Sequence, residues 1–229
     1  MSKKVCSIMQ PTFIPWAGYF NLIHQSDCFV FLDDVQFQKP SWQNRNRVVV
    51  SGKPHWLTVP TNREGLSDHL KDITLDDRHN WRKKHCALIS QNYSKHPFYN
   101  DINKVLEVIE DKNIKNLSEL NIKIIKSLCA QLEIEINPFL SSEIGIIDGR
   151  SKRLIEMMKH LNCNTYLSPQ GSREYLEEDD EFDKGSLVYQ DYSPADYEQI
   201  NTDNFISHMS IIDVLANLGT KETRNYIIS

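Results

Sequence analysis

The residues best equipped for chemistry in this chain fall in four segments. The first reads Gln10-Pro11-Thr12-Phe13-Ile14-Pro15-Trp16-Ala17-Gly18-Tyr19. Its two prolines forbid regular structure, and the pattern after them is helical. A rigid loop that ends a strand and opens a helix aims free N–H groups and the positive helix end at one spot. Such a spot accepts phosphate or carboxylate, with Gly18 allowing close approach. The bland alternative is that Pro11, Phe13, Pro15 and Trp16 only pack a turn.

The second segment runs from Asp27 through Asp33-Asp34-Val35-Gln36 to Lys39, Trp42, Asn44, Arg45, Asn46 and Arg47. Adjacent carboxylates at a strand end can orient a sugar or take a proton from an amine. A metal is disfavoured, because no third carboxylate stands at a recognisable spacing. Arg45 and Arg47 are two apart, so on a strand they share a face. Two guanidiniums on one face suit a diphosphate. The structural alternative pairs Asp33 or Asp34 with Arg45 or Arg47. In the third segment Trp81 and His85 stand four apart on one helix face. His85 is a candidate base, as is His24 on an earlier helix, although a lone helical histidine more often lines a core. The fourth segment holds Tyr166, the turn 168–172, and Tyr189-Gln190-Asp191-Tyr192. It offers a second ligand loop, with Tyr189 and Asp191 as contacts. No G-x-S-x-G elbow or ordered Ser/His/Asp set is present, which argues against a serine hydrolase.

These residues need elements to hold them. Residues 5–9 and 28–32 are short apolar runs that flank a helix at 17–25, giving β-loop-α-β within little more than thirty residues. Residues 45–50 and 55–59 flank Ser51-Gly52-Lys53-Pro54 and predict a hairpin, and 70–75 suggests another strand. Helices are expected at 80–93, 101–109 and 117–132, the last carrying an apolar stripe of Leu117, Leu120, Ile124, Ile125, Leu128 and Leu132. A strand at 134–140, a helix at 151–161, strands at 165–168 and 187–192, and helices at 206–218 and 221–228 complete the series, with Gly219 as a stop signal. The acidic run 177–180 reads as a solvated loop. The expected fold is α/β and Rossmann-like. It has a mostly parallel sheet, flanking helices and a helical middle segment, in one domain over 1–229.

Composition narrows the classes. Hydrophobic content of 40% and charged content of 25% are ordinary for a globular protein. A net charge of −5 argues against a protein devoted to nucleic-acid backbones. No apolar run reaches the roughly 20 residues of a membrane span, and the basic start leads into too short an apolar stretch for a signal peptide. Five scattered cysteines without zinc spacing predict free buried thiols in a reducing cytoplasm.

Taken in order, these segments resemble the WbqC-like family. The likeness rests on Gln10-Pro11…Pro15-Trp16…Gly18-Tyr19-Phe20, Asp33-Asp34-Val35-Gln36…Ser41-Trp42…Asn44-Arg45-Asn46 and Trp56-Leu57-Thr58-Val59-Pro60. It extends through Trp81…His85, Tyr175-Leu176, Tyr189-Gln190-Asp191-Tyr192…Tyr197…Gln199, and Ser210…Asp213…Asn217-Leu218-Gly219. One departure is Ser168-Pro169-Gln170-Gly171, where the family leads one to expect more glycine. The resemblance implies work in bacterial surface-polysaccharide (O-antigen) biosynthesis, with transfer of glycine or another acyl group to a nucleotide-linked amino sugar. The diphosphate then falls to Arg45, Arg47 or the first loop, and the sugar ring to Trp16, Tyr19 or Trp42. Gln10, Lys39, Asn44, Asn46 and Trp81 are further substrate-binding candidates. The base comes from His24, Asp33, Asp34 and His85. No acyl-donor motif is visible, so coenzyme A, a thioester on a carrier-protein partner and an acyl-adenylate stay open. Two rivals stand beside this reading. One is an ATP-using enzyme akin to nucleotidyltransferases, although the two histidines that mark their first loop are missing. The other is a non-catalytic partner of a carrier protein or pathway enzyme.

Overall fold

The computed structural model describes residues 3–62, 65 and 68–229. Its centre is a five-stranded sheet made of β1 (Val5–Met9), β2 (Cys28–Phe31), β7 (Pro138–Leu140), β8 (Thr165–Ser168) and β9 (Leu187–Tyr189). The order is β7-β2-β1-β8-β9, and every pairing is parallel. Between β2 and β7 the chain makes a separate hairpin of β3 (Arg45–Val50) and β4 (Lys53–Thr58), then a two-stranded ribbon of β5 (Thr61–Asn62) and β6 (Thr74–Leu75). The helices are α1 (Ala17–His24), α2 (Trp81–Tyr93), α3 (Asn103–Glu110), α4 (Leu117–Gln131), α5 (Ser141–Ile144), α6 (Arg150–His160), α7 (Arg173–Asp179) and α8 (Ile211–Ile228).

Alternation along the strands decides what each face of the sheet buries. Phe29 and Phe31 point into a large core with Phe20 and Leu22 of α1, Ile124 and Leu128 of α4, and Ile212 and Leu215 of α8. Cys6, Ile8, Cys28 and Val30 point the other way, onto Leu154, Met157 and Met158 of α6 and Leu176 of α7. Helices therefore cover both faces, which is the Rossmann-like arrangement. The chain leaves β1 toward one face and β8 toward the other. Strand order thus reverses between β1 and β8, and in such sheets a ligand crevice opens beyond the carboxyl ends of the strands at that point.

The apolar stripe of α4 is fully buried from Leu117 to Leu132, and each such leucine or isoleucine contributes about 1.5–3 kcal/mol of burial. All five cysteines are free and buried. Among the described residues, no helix is long and apolar enough to cross a membrane.

Several elements depart from the sequence reading. Residues 70–72 form a 3-10 turn, leaving only Thr74–Leu75 extended. The last long helix begins at Ile211, because the Ser210 N–H donates to the Arg47 carbonyl and holds the preceding segment against the hairpin. Gly219 (φ +74°) breaks that helix, and an added Cβ would meet the Phe98 ring at 2.6 Å. The acidic run is no solvated loop: residues 177–179 are the end of α7. Asp179 accepts bonds from Ser151 Oγ (2.7 Å) and Arg150 Nη1 (3.0 Å), joining α7 to α6.

Candidate functional site

Beyond the carboxyl end of β1 the first loop is clamped from three sides. Asn46 Nδ2 donates to the carbonyls of Phe13 and Ile14, at 3.1 and 2.9 Å. Asn121 Nδ2 donates to the carbonyls of Pro11 and Gln43, and the Phe13 N–H donates to the Trp42 carbonyl. Ile14 is thereby held at φ +38°. The loop cannot relax without breaking bonds to both the hairpin and α4.

What the clamp holds open is a cavity of about 270 Å³. Met9, Thr12, Trp16, Tyr19, Trp42, Asn46 and His208 line it. The Tyr19 hydroxyl donates to the Gln10 carbonyl, and burial raises its pKa. Gln10 also accepts a bond from buried Gln43. Next to Trp42, hairpin register places Arg47 opposite Trp56 and Arg45 opposite Thr58, so all four share one face. The Arg45 guanidinium lies 4.1 Å from the centre of the Trp56 ring, and Arg47 lies 5.8 Å from both Trp42 and Trp56. The two indoles are themselves 5.1 Å apart, yet 49% and 39% exposed, which is unusual for tryptophan. No carboxylate pairs with either arginine among the described residues, and the buried Nε of each has no partner there.

Gly18 has a different role from the one its sequence context suggests. An added Cβ would stand 2.1 Å from the Trp16 ring. The space over the first turn of α1 is therefore filled by the indole, not left for a phosphate. The indole in turn faces His208 at 4.8 Å and Tyr192 at 5.7 Å.

The structure brings together Gln10, Trp16, Gly18, Tyr19, Trp42, Arg45, Asn46 and Arg47, and it disperses the other candidates. Asn44 is buried, bonded to the Val59 carbonyl, and supports the hairpin from behind. Lys39 is exposed on the loop between β2 and β3. Asp33 accepts bonds from Ser141 Oγ, Ser142 N and Ser142 Oγ, and so secures the start of α5. Asp34 accepts from Ser141 Oγ and from Arg153 Nη2 at 2.6 Å. Burial alone would raise the Asp34 pKa, but these bonds outweigh it and hold the carboxyl low. The ion-pair partner is thus Arg153 of α6, not Arg45 or Arg47. His24 ends α1 at the opposite edge of the sheet, in a recess with Asp27, Glu133 and Glu135. Trp81 is buried, with its indole N–H on Asp77. Tyr189 lies on the outer strand β9 beneath Arg173, 4.0 Å from its ring centre, and Asp191 is exposed beyond it.

His85 packs between Trp81 (5.2 Å) and Phe13 (6.3 Å), behind the loop and outside the cavity. Burial, aided by His55, lowers its pKa to about 4. A folded pKa below the ordinary 6.5 means that the unfolded chain takes up the proton first. Stability conferred by neutral His85 should therefore be lost as pH falls from about 6.5 toward 4. The full shift corresponds to about 3 kcal/mol, and partial exposure reduces that. Urea unfolding at pH 7 and pH 4.5 should show a smaller difference for His85→Phe than for the parent; equal differences would contradict this.

The sequence reading passed over His208 and Trp56 as site residues. Trp56 needed the correct register: a four-residue turn at 51–54 would set Thr58 opposite Arg47, whereas the observed two-residue Ser51-Gly52 turn sets Trp56 there. His208 lies in an irregular segment with no periodicity to mark it. A larger recess of about 910 Å³ exists between α4 and β7. Its lysines (Lys71, Lys123, Lys126) are matched by Asp33, Glu119 and Glu143, so it gathers no net charge. The smaller cavity includes the exposed Trp42, beside which stand guanidiniums that no described carboxylate neutralises, and it lies at the strand ends, where this fold binds ligands.

Fold and site together define a Rossmann-like α/β protein with a cation-and-aromatic candidate site beyond its central strand. The chain belongs to the WbqC-like protein family, whose model matches residues 10–225. It is similar to the uncharacterized protein Rv1507c of Mycobacterium tuberculosis, with 34% identity over 223 residues, 96% of this chain and 95% of that one. No solved structure matches it.

Proposed function

We propose that the protein transfers an acyl or aminoacyl group to the amine of a nucleotide-linked amino sugar, as a step in bacterial surface-polysaccharide (O-antigen) biosynthesis. The observation that carries this reading is the pair of carboxylate-free guanidiniums, Arg45 and Arg47, set against Trp56 and Trp42, the second of which lines the cavity. Forked donors of fixed charge match a diphosphate, and indole faces match the sugar or base at either end. In the reaction the amine nitrogen attacks an activated acyl carbon, and a base takes its proton as the leaving group departs with its electron pair. His208, which lines the cavity against Trp16, is the best-placed imidazole for that base. A coenzyme A or carrier-protein thioester fits as donor, and in the second case a carrier protein is a partner.

Two measurements test the reading. Mass spectrometry of the protein with nucleotide-linked amino sugars and a panel of acyl thioesters, or free acids with ATP, should give a product heavier by one acyl unit. Calorimetry should show nucleotide-sugar affinity falling by about a hundredfold in Arg45→Ala/Arg47→Ala, since each lost charge-assisted bond is worth about 1.5–3 kcal/mol. Unchanged affinity in the double variant would remove the main support for this function.

A further inference from the structure

Trp16 and His208 are a wall between two chambers. On the side away from the hairpin lies a second cavity of about 250 Å³, which shares both residues with the first. Its distinctive lining is aromatic: Tyr192, Tyr197, Phe205 and Tyr226, with Trp16 closing one side and Asp196 at the rim. The rings are set at angles around the space. Tyr197 meets Phe205 edge-on at 5.1 Å and Tyr226 at 5.4 Å, while Trp16 and Tyr192 are tilted at 5.7 Å.

The hydroxyls of two of these tyrosines are already spoken for. Tyr192 donates to the Tyr226 carbonyl and Tyr197 to Asp213. What they offer the cavity is therefore their π faces. The lining holds no lysine or arginine, and Asp196 has neither an ion pair nor a hydrogen bond among the described residues. Buried Asp213 stands directly behind Tyr197. Negative ring faces and an unneutralised carboxylate, with no cation of the protein's own to fill them, attract a ligand cation.

We infer that this second chamber binds an organic ammonium group. Such a ligand satisfies Asp196 at the rim and the quadrupoles of the surrounding rings, and an anion meets no lysine or arginine there to neutralise it. Its meaning for catalysis rests on the transferase reading above. An aminoacyl donor carries an α-ammonium two bonds from its acyl carbon. Seated here, that donor brings its acyl carbon to His208, which lines both chambers, so that amine and acyl carbon meet beside that imidazole. The chamber then selects an aminoacyl over a plain acyl group.

The test needs binding alone. Titrate the full chain, by calorimetry or by indole fluorescence, with choline against its neutral isostere 3,3-dimethylbutan-1-ol, and with propylammonium against propan-1-ol. At least one cation should bind about tenfold or more tightly than its neutral partner. Asp196→Asn and Phe205→Leu should each remove most of that preference; neither side chain forms a hydrogen bond, so both variants should fold. Equal binding of cation and neutral partner, absence of binding by both cations, or a preference untouched by the two substitutions overturns the ammonium chamber. Those results stand whether or not transfer is observed, and a failed transfer assay leaves a positive titration intact, so the two readings fail separately.

Discussion

Asp213→Ala should cost about 3–5 kcal/mol and lower the melting temperature by roughly 10 °C. Asp213 is buried near the start of α8 and accepts bonds from Tyr93 Oη (2.8 Å), Tyr197 Oη (2.5 Å) and Gln199 Nε2 (2.8 Å). Tyr93 Oη also accepts the Val49 N–H of β3 at 2.7 Å. One carboxylate therefore ties α8, α2, the hairpin and the segment that carries His208. Alanine strands the two phenol donors, while Gln199 Nε2 keeps the Ile206 carbonyl, and an unmet buried donor costs far more than a met one gains. Asparagine keeps one acceptor but turns an amide N–H₂ toward the phenols, so Asp213→Asn should lose about half as much. Burial and the adjacent Asp213 raise the phenol pKa of both tyrosines, which keeps them protonated as donors. Urea unfolding that places the alanine variant within about 0.5 kcal/mol of the parent would mean that the network is replaceable.

Gly18→Ala sets two effects against each other. Alanine favours a helix over glycine by about 1 kcal/mol. The new methyl, however, lands 2.1, 2.3 and 2.6 Å from three atoms of the Trp16 ring, and a rigid indole cannot yield by bending. Overpacking costs about 1–3 kcal/mol, so the clash should win. The indole should swing off α1, lose His208 and Tyr192, and join the two chambers. Nucleotide-sugar affinity should fall at least tenfold as the cavity loses its wall, with a red shift in tryptophan emission. A double-mutant cycle separates the causes. In a Trp16→Leu background the same alanine should become neutral or mildly stabilising. If it stays equally harmful there, the glycine is needed for some reason other than the indole.

Much of this architecture could be read from residue patterns, because the patterns report short-range physics. The strand at 165–168, the hairpin arms and the stripe of α4 follow from periodicity within a few residues. The same holds for Arg45 and Arg47, whose common face needs only strand geometry. Asp33 and Asp34 show where such reading stops. Their spacing is that of a catalytic pair, but their partners are Ser141, Ser142 and Arg153, more than a hundred residues away, and nothing local announces them. His24 and His85 were sensible by type, yet one ends on the far edge of the sheet and the other behind the loop. His208 was invisible for the converse reason. It sits in an irregular segment, at φ +57°, where Arg47 Nη2 reaches the carbonyls of Ser207 and His208 at 3.5 and 3.3 Å. The family likeness at Tyr197, Gln199, Ser210 and Asp213 marks the scaffold of that segment more than a reacting group.

The sheet order has a consequence for how the chain is made. The central strand β1 leaves the ribosome well before one of its two neighbours, β8, as the bond from Ser7 to the Leu167 carbonyl, 160 residues apart in sequence, records. Until that neighbour emerges, β1 exposes an open edge, and closing so long a loop is slow compared with forming the local helices and hairpin. The nascent chain therefore passes through a stage with its hairpin and α4 formed and its middle strand half paired. Such an intermediate invites association with other copies.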